Sequence, residues 1–174
     1  EDTLSLHDAL PIYLLFVLRW CLGQPVAVKG EWKKLYGAVE DEVKATFRLA
    51  NGALVEFESS WSVKGYNMSA TTLEVTGSNG TITVTNESVE LNLTEAAAGW
   101  PAGVTKLLHP ELPQPSRFDL NGEAYTLEDA AFAAWVAGGT EPPGTAALGL
   151  DVQRMMGALY ASCDKNGAEV EVAR

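Results

Sequence analysis

The sequence is poor in the residues that build disulfide scaffolds, metal sites and thiol nucleophiles. Its 174 residues include two cysteines and two histidines. Cys21 and Cys163 each lie in an apolar stretch, so we expect reduced, buried thiols rather than a disulfide framework. Neither cysteine has the spacing of a zinc ligand set. A zinc site or a Cys–His nucleophile is therefore not predicted.

Basic residues are also scarce. The chain has 12 Lys and Arg against 23 Asp and Glu, which gives a net charge of −11. Nucleic acids and anionic membranes are bound by clustered Lys and Arg, so neither partner is expected. No apolar run reaches the length of about 20 residues that spans a bilayer. A hydrophobic fraction of 47% excludes a disordered chain, and the length suits one domain or at most two small ones.

The first residues have an unusual origin. Residues 3–12 read TLSLHDALPI, which resembles, codon for codon, a translated short-read sequencing adapter. We therefore expect residues 1–12 to be an artefact that contributes nothing to the fold. The native part, residues 13–174, would then lack its natural N-terminal portion. The adapter also supplies the first base of codon 13, so the natural residue at Tyr13 is Tyr, His, Asn or Asp.

Half-polar strands joined by tight turns occupy the middle of the chain. The predicted strands cover residues 42–49, 55–63, 72–76, 81–85 and 89–93. Asn51-Gly52 indicates a hairpin because both residues tolerate positive φ, and Gly77-Ser-Asn-Gly80 forms a second turn. Leu54 alternates out of phase with Val55, so we expect the strand face away from the helices to be apolar enough for self-association.

Helical spacing of apolar residues predicts three helices. They cover residues 13–22, a segment beginning at Thr126, and residues 148–163. In the second, Asp129 completes a capping-box variant, and Phe132, Trp135 and Val136 form a buried stripe. A closing strand follows at 168–172. This order predicts an α+β fold in which helices pack on one face of a large, mostly antiparallel, open sheet.

A long connection, residues 94–124, is rich in proline and is predicted to be a loop of the kind that is often functional. It carries Trp100 and His109. Trp100 is either a substrate platform or a loop-packing residue, and His109 is either a substrate contact or an ordinary surface histidine. No glycine cluster has the pattern of a nucleotide-binding turn. From the residues alone, the chain is a binding or assembly module, or half of an enzyme.

Several segments carry a family resemblance. They are LRWCLGQPV (18–26), VKATFRLANGA (43–53), ESSWS (58–62), LEVTGSNGTITV (73–84), and LYAS with the later VEV (159–172). In this order they resemble the C-terminal domain of the Gfo/Idh/MocA family of NAD(P)-dependent oxidoreductases. The resemblance implies a two-domain enzyme whose N-terminal Rossmann domain binds NAD or NADP, and whose C-terminal domain forms a wall of the substrate pocket.

The resemblance also implies a site and a mode of assembly. The substrate would be a sugar, polyol or cyclitol, oxidised at a carbinol carbon by hydride transfer to the nicotinamide, with a residue at position 13 as the acid/base. Tyr13 occupies that position, and Phe16 occupies the position of a commonly paired Asp. We expect a cytoplasmic homo-oligomer formed through the open sheet face, and we expect this fragment alone to bind no cofactor. The alternative is a non-catalytic binding or oligomerisation module with the same sheet.

Overall fold

The computed structural model describes residues 11–60, 62–64, 70–108 and 123–173. Within these ranges, three helices and eight strands follow one another. In order they are α1 (Pro11–Leu22), β1 (Pro25–Lys33), β2 (Glu42–Leu49), β3 (Leu54–Ser60), β4 (Thr72–Gly77), β5 (Gly80–Thr85), β6 (Ser88–Leu93), β7 (Gly103–Leu108), α2 (Glu123–Val136), α3 (Ala146–Asp164) and β8 (Val170–Glu171). The predicted α+β class and antiparallel pairing are confirmed.

The strands form two four-stranded sheets rather than one large sheet. Sheet A has the order β3-β2-β1-β8, and sheet B has the order β4-β5-β6-β7. No ladder joins β3 to β4 among the described residues. The chain divides into two compact units, one drawn from residues up to 63 and from 131 onward, the other from residues 64–130. Sheet A lies in the first unit and sheet B in the second.

The core of the first unit lies between sheet A and the helices α1 and α3. One face of the sheet contributes alternate apolar side chains, including Val28, Val43 and Phe47. Leu15 of α1 and Met155 of α3 complete the core and are fully buried. The predicted packing of helices on one sheet face is thus confirmed for these two helices.

Gly30 explains how closely α3 approaches β1. A Cβ atom on Gly30 would lie 2.3 Å from Cδ1 of Leu159 and 3.2 Å from Sγ of Cys163. Such distances are far below van der Waals contact. The absence of a side chain at Gly30 therefore allows the helix to lie directly on the strand.

The outer face of sheet A is ionic, which contradicts the expected apolar face. Its side chains form cross-strand pairs between Lys33 and Glu42, at 2.6 Å, and between Lys44 and Glu58, at 3.0 Å. Leu54 is exposed, as expected, but it is accompanied by charged residues on the adjoining positions. Polar residues alternate with core residues along β2. The sequence at Lys44, Thr46 and neighbouring positions therefore predicts a hydrophilic outer face.

Sheet B has one apolar face and one polar face. The apolar face carries Leu73, Val75, Ile82, Val84, Val89, Leu91 and Leu107, which share aligned rows of the register. None of these side chains is fully buried. The opposite face is rich in threonine and includes the pair between Lys106 and Glu90.

Three expectations for the second half of the chain are wrong. Strand β7 lies inside the segment predicted to be a loop, where it pairs with β6 from Gly103 to Leu108. Helix α2 begins at Glu123, so Thr126 lies within the helix instead of capping it. Phe132, Trp135 and Val136 are exposed rather than buried. The spacing of the apolar residues correctly predicts a helix. Spacing alone does not indicate whether another element covers the apolar side chains of that helix.

Candidate active site

Helix α1 presents Tyr13 to solvent near its first turn. Pro11 is the first helical residue, a position where proline's fixed φ suits the helix and its missing N–H is not needed. Tyr13 is 70% exposed, whereas Leu15 and Leu18 are buried against the core. This difference follows from the helical period, which places residues 13 and 15 on different sides.

An aromatic stripe continues from Tyr13 along the same side of α1. It consists of Tyr13, Phe16 and Trp20, at the spacing i, i+3 and i+7, and is called the α1 aromatic stripe below. The rings of Phe16 and Trp20 have centroids 6.4 Å apart and an interplanar angle of 39°. Trp20 is exposed and Phe16 is half-buried. The stripe therefore forms a solvent-facing surface with a phenol at one end.

A carboxylate bridge fixes α1 against α3. Both Nε and a terminal nitrogen of Arg19 lie 3.0 Å from Oδ2 of Asp151. Arg154 donates to the other oxygen of the same carboxylate, at 3.3 Å. The geometry is bidentate on the arginine side, which orients the partners more strictly than a single contact does. The bridge thereby joins α1, which carries the α1 aromatic stripe, to α3.

The Tyr13 hydroxyl can carry a proton, but no activating partner lies beside it among the described residues. A phenolic hydroxyl both donates and accepts hydrogen bonds. Within the described residues, no side chain donates to or accepts from the Tyr13 hydroxyl. Phe16, one turn further along, cannot orient a base or relay a proton. Among the described residues, the Tyr13 hydroxyl therefore has no side-chain partner that would activate it.

Trp100 and His109 are the two predicted substrate contacts. Trp100 belongs to the second unit, where it closes a short turn through mutual backbone hydrogen bonds with Ala97 at 2.9 and 3.0 Å. Its side chain is 38% exposed. His109 lies outside the described residues. The structure describes the two units separately, and Trp100 and Tyr13 remain independent candidates.

The glycine-rich turn among the described residues is not built as a dinucleotide-binding turn. Gly77 and Gly80 pair with each other across the β4–β5 hairpin, so they connect two strands rather than a strand and a helix. Pyrophosphate binding uses the N-terminus of a helix that follows such a glycine-rich turn. The described ranges also contain no group of three or more His, Cys, Asp or Glu side chains placed to hold a metal ion.

Two concave regions lie in the first unit. A cavity of about 10 Å³, lined in part by Trp32, Glu40 and Tyr160, has room for about one water molecule. It is too small for a sugar. An open groove of about 500 Å³ lies beside Pro25 and Val172, with Glu171 as its one ionisable lining residue.

One buried polar pair was missed by reasoning from sequence. Glu40 is 7% exposed, and its Oε1 accepts a hydrogen bond from the hydroxyl of Tyr160. The separation of these residues along the chain hides the contact. The available signal was local: Tyr160 falls on the apolar stripe of α3, where its hydroxyl needs a partner.

The predicted thiols differ from one another. Cys163 is buried, as expected, whereas Cys21 is exposed because it lies on the solvent side of α1. Burial, with a smaller contribution from the negative charge of Asp164, raises the pKa of Cys163 to about 11. Cys163 is therefore a core residue with little thiolate character.

No helix among the described residues is long and apolar enough to span a membrane.

Part of the chain matches the model of a known protein family. Residues 8–83 match the model of the GFO/IDH/MocA C-terminal domain. The resemblance to the Gfo/Idh/MocA family is confirmed. The matched region contains α1 and the β1–β3 hairpins, which are the elements that place Tyr13 and build the core. Comparison with curated proteins found no match.

Solved structures share the fold over nearly the whole chain. A levoglucosan dehydrogenase in complex with NADH superposes with a TM-score of 0.79 and 22% identity, covering 95% of this chain and 49% of that one. An oxidoreductase from Agrobacterium radiobacter, in complex with NAD+, L-tartaric acid and magnesium, gives a TM-score of 0.73 and 20% identity, covering 95% and 48%. An aldose-aldose oxidoreductase from Caulobacter crescentus, complexed with glycerol, gives 0.70 and 21%, covering 92% and 45%. The chain spans about half the length of these Gfo/Idh/MocA-like structures.

Proposed function

We propose that this chain is the substrate-binding and oligomerisation half of an NAD(P)-dependent oxidoreductase that acts on a sugar, polyol or cyclitol-like molecule. The observation that carries the proposal is the superposition of 95% of the chain on about half of a levoglucosan dehydrogenase. In this proposal residues 13–174 form the native domain. The dinucleotide is held by a Rossmann domain outside this chain.

Tyr13 is proposed as the acid/base residue. Oxidation of a carbinol requires that its hydroxyl proton be taken up, and a tyrosine within hydrogen-bond reach can do so. Support comes from the exposure of Tyr13 at the end of the α1 aromatic stripe and from the family resemblance, which implies an acid/base residue at this position. We also propose Trp100 and His109 as substrate contacts, with the exposed ring of Trp100 as the support available.

The acid/base proposal is tested in the full-length enzyme with its natural codon 13. Replacement of that residue by Phe keeps an aromatic ring and removes the ionisable group. Turnover should fall by roughly 10²–10⁴-fold, the range for loss of a proton-transfer group. Tyr36→Phe is the matched control, because Tyr36 is 76% exposed on a loop away from α1. Equal turnover in both variants would remove position 13 from the mechanism.

The chain as given is proposed to bind neither NAD nor NADP. The support is the lack of a strand–turn–helix phosphate site in the described residues. Calorimetric titration with each dinucleotide should give no heat of binding at micromolar protein. A saturable micromolar isotherm would contradict the proposal and would locate a cofactor site in the fragment.

Self-association is proposed to use the apolar face of sheet B. That face carries no charged residue, whereas the outer face of sheet A is ionic. Two copies of a chain with a net charge of −11 approach each other most readily through an uncharged surface. Leu91→Glu places a charge on this face, and Asn92→Glu places the same charge on the opposite face. Sedimentation should show association lost in the first variant and kept in the second; a monomer at every concentration of the parent chain would overturn the proposal.

The non-catalytic module remains the alternative, and no observation favours it over the oxidoreductase. We further propose a cytoplasmic location, which is supported by two cysteines that are free in the structure. Fractionation of the source cells with an antibody against the full-length protein tests this location, and recovery in an extracytoplasmic fraction would contradict it.

A further inference from the structure

The loop between β1 and β2, residues 34–41, is internally braced by Asp41. The Asp41 carboxylate accepts hydrogen bonds through Oδ2 from the backbone N–H groups of Leu35, at 2.6 Å, and Tyr36, at 3.1 Å. The backbone N–H of Asp41 donates to the carbonyl of Lys33, at 2.8 Å. These contacts close the loop on itself and preserve its shape. Leu35 and Tyr36 are exposed at its tip, so the tip adds little packing.

The loop is joined to α3 through a different side chain. Glu40 is buried, and its carboxylate accepts the hydrogen bond from the Tyr160 hydroxyl. No Lys or Arg of the described ranges forms an ion pair with Glu40. A buried carboxylate without a cation depends strongly on the hydrogen bonds that it accepts. The Glu40–Tyr160 hydrogen bond joins this part of the loop to the helix.

Glu40 also forms one wall of the small cavity. The cavity is lined by Trp32, Glu40, Val43, Met156, Leu159, Tyr160 and Cys163. Of these residues only Glu40 belongs to the loop; the others belong to β1, β2 and α3. The Trp32 and Tyr160 rings meet edge to face with centroids 5.3 Å apart, and they stay supported by their own elements if Glu40 moves away.

We propose that the 34–41 loop is a strap, latched onto α3 by the Glu40–Tyr160 hydrogen bond, whose release opens the cavity and exposes Cys163. Segments with few buried apolar contacts open locally at a small fraction of the global free energy of unfolding. The strap meets this condition because its internal braces do not hold it to the core. Opening moves Glu40 and leaves sheet A and α3 in place.

Cys163 reports on the latch, and Cys21 provides an internal reference. Cys163 lines the cavity and is buried, whereas Cys21 is exposed. The full chain is treated with iodoacetamide at about pH 8, and the modification rate of each thiol is followed by peptide mass spectrometry. In Tyr160→Phe we expect the Cys163 rate to rise on the order of tenfold, since the hydrogen bond to Glu40 is lost. The Cys21 rate should not change.

Thr46→Val is the matched control. It removes another hydroxyl–carboxylate contact, from Thr46 to Glu56 at 3.1 and 3.2 Å, on the outer face of the same sheet. The Cys163 rate should match that of the parent chain. Glu40→Gln keeps an acceptor for Tyr160 and should fall between the parent and Tyr160→Phe.

Low concentrations of urea separate strap opening from global unfolding. Local opening exposes little surface, so the Cys163 rate in Tyr160→Phe should be nearly independent of urea below the unfolding transition. A rate that rises with urea in step with the unfolding equilibrium would overturn the proposal. An unchanged Cys163 rate in Tyr160→Phe would overturn it as well.

Discussion

Ser162 shows how one polar residue in an apolar core connects three segments. Its side chain is fully buried, its Oγ accepts the backbone N–H of Gly30 at 2.9 Å, and its hydroxyl donates to the carbonyl of Ala168 at 2.7 Å. These bonds tie the end of α3 to β1 and to the chain leading into β8. The serine of the LYAS segment therefore has a structural role, and its part in the family resemblance follows from packing.

Ser162→Ala should destabilise the chain by about 1–3 kcal/mol, because the Gly30 N–H and the Ala168 carbonyl each lose a buried partner. Urea unfolding followed by circular dichroism measures the change. Ser78→Ala, in the exposed β4–β5 turn, is the control and should stay within about 0.5 kcal/mol of the parent. Equal stability of the two variants would mean that water replaces the serine without loss.

Cys163 gives the stability a dependence on alkaline pH. Its pKa is raised to about 11 in the folded chain, mainly by burial, from an ordinary value of 9.0. The folded state therefore keeps a proton that the unfolded state loses as the pH rises between these values. This contribution is fully present below about pH 9 and is lost towards pH 11.

The corresponding variant is Cys163→Ala, which should show a shallower fall in unfolding free energy between about pH 9 and 10.5 than the parent. The difference in slope is at most about 1.4 kcal/mol per pH unit. Cys21→Ala should keep the parental slope because Cys21 is exposed. Parallel pH profiles for the parent and Cys163→Ala would show that the thiol titrates alike in both states.

At the scale of elements, α1 does not begin where the adapter resemblance places the native chain. The helix starts at Pro11, and Ile12 is partly buried against the core cluster. The expectation that residues 1–12 contribute nothing to the fold is therefore wrong for Ile12. An apolar residue that happens to continue a helical face packs regardless of its origin.

Ile12→Ala should lower the unfolding free energy by on the order of 1 kcal/mol, since part of an isoleucine side chain loses its contacts. The control on the same helix is Trp20→Ala, which truncates a side chain that is 57% exposed. Thermal unfolding of both variants tests the comparison. A melting temperature for Ile12→Ala equal to that of the parent would restore the earlier expectation.

Elements with strong local patterns were predictable, and elements that depend on partners were not. Strand β2 was predicted with the observed bounds because its alternation is strict, and the Asn51-Gly52 turn follows from its positive-φ residue, Gly52 at +86°. Helix α2 was found, but its apolar stripe is uncovered. Strand β7 was missed because nearby prolines outweighed a short β-branched run. The division into two sheets follows from the lack of a ladder between the consecutive strands β3 and β4 among the described residues, which periodicity does not encode.

The candidate site was predictable only to the level of one helix position. Tyr13 was assigned through a family resemblance, and the structure places it on an exposed helical face. Within the described residues no side chain bonds to its hydroxyl, so these residues specify the site only by the position of Tyr13 on α1. Glu40 and Tyr160 illustrate the same limit in the core, because a contact between distant residues leaves no periodic trace.

At the scale of the whole molecule, the acidic excess dominates the electrostatics. The ion pairs among the described residues involve Lys and Arg on exposed or half-exposed positions, such as Arg48 with Glu169 at 2.8 Å. The Arg48 side chain holds the pKa of Glu169 below its ordinary value, as Lys33 does for Glu42. The lowered pKa values of Glu169 and Glu42 stabilise the folded state. This stabilisation is present above the ordinary carboxyl pKa of 4.5 and is lost as the pH falls through the lowered pKa values.

Exposed ion pairs of this kind contribute little to folding stability. Because the chain has 23 acidic and 12 basic residues, the excess carboxylates repel one another strongly. We therefore expect the melting temperature at about pH 7 to rise as NaCl increases from about 10 to 150 mM, because the screening length shortens from about 30 to 8 Å and weakens this repulsion. Near the sequence pI of 4.5 the charges balance, and the same salt change should have no stabilising effect. A melting temperature that falls with salt at pH 7 would mean that the ion pairs of sheet A outweigh the repulsion among the excess carboxylates.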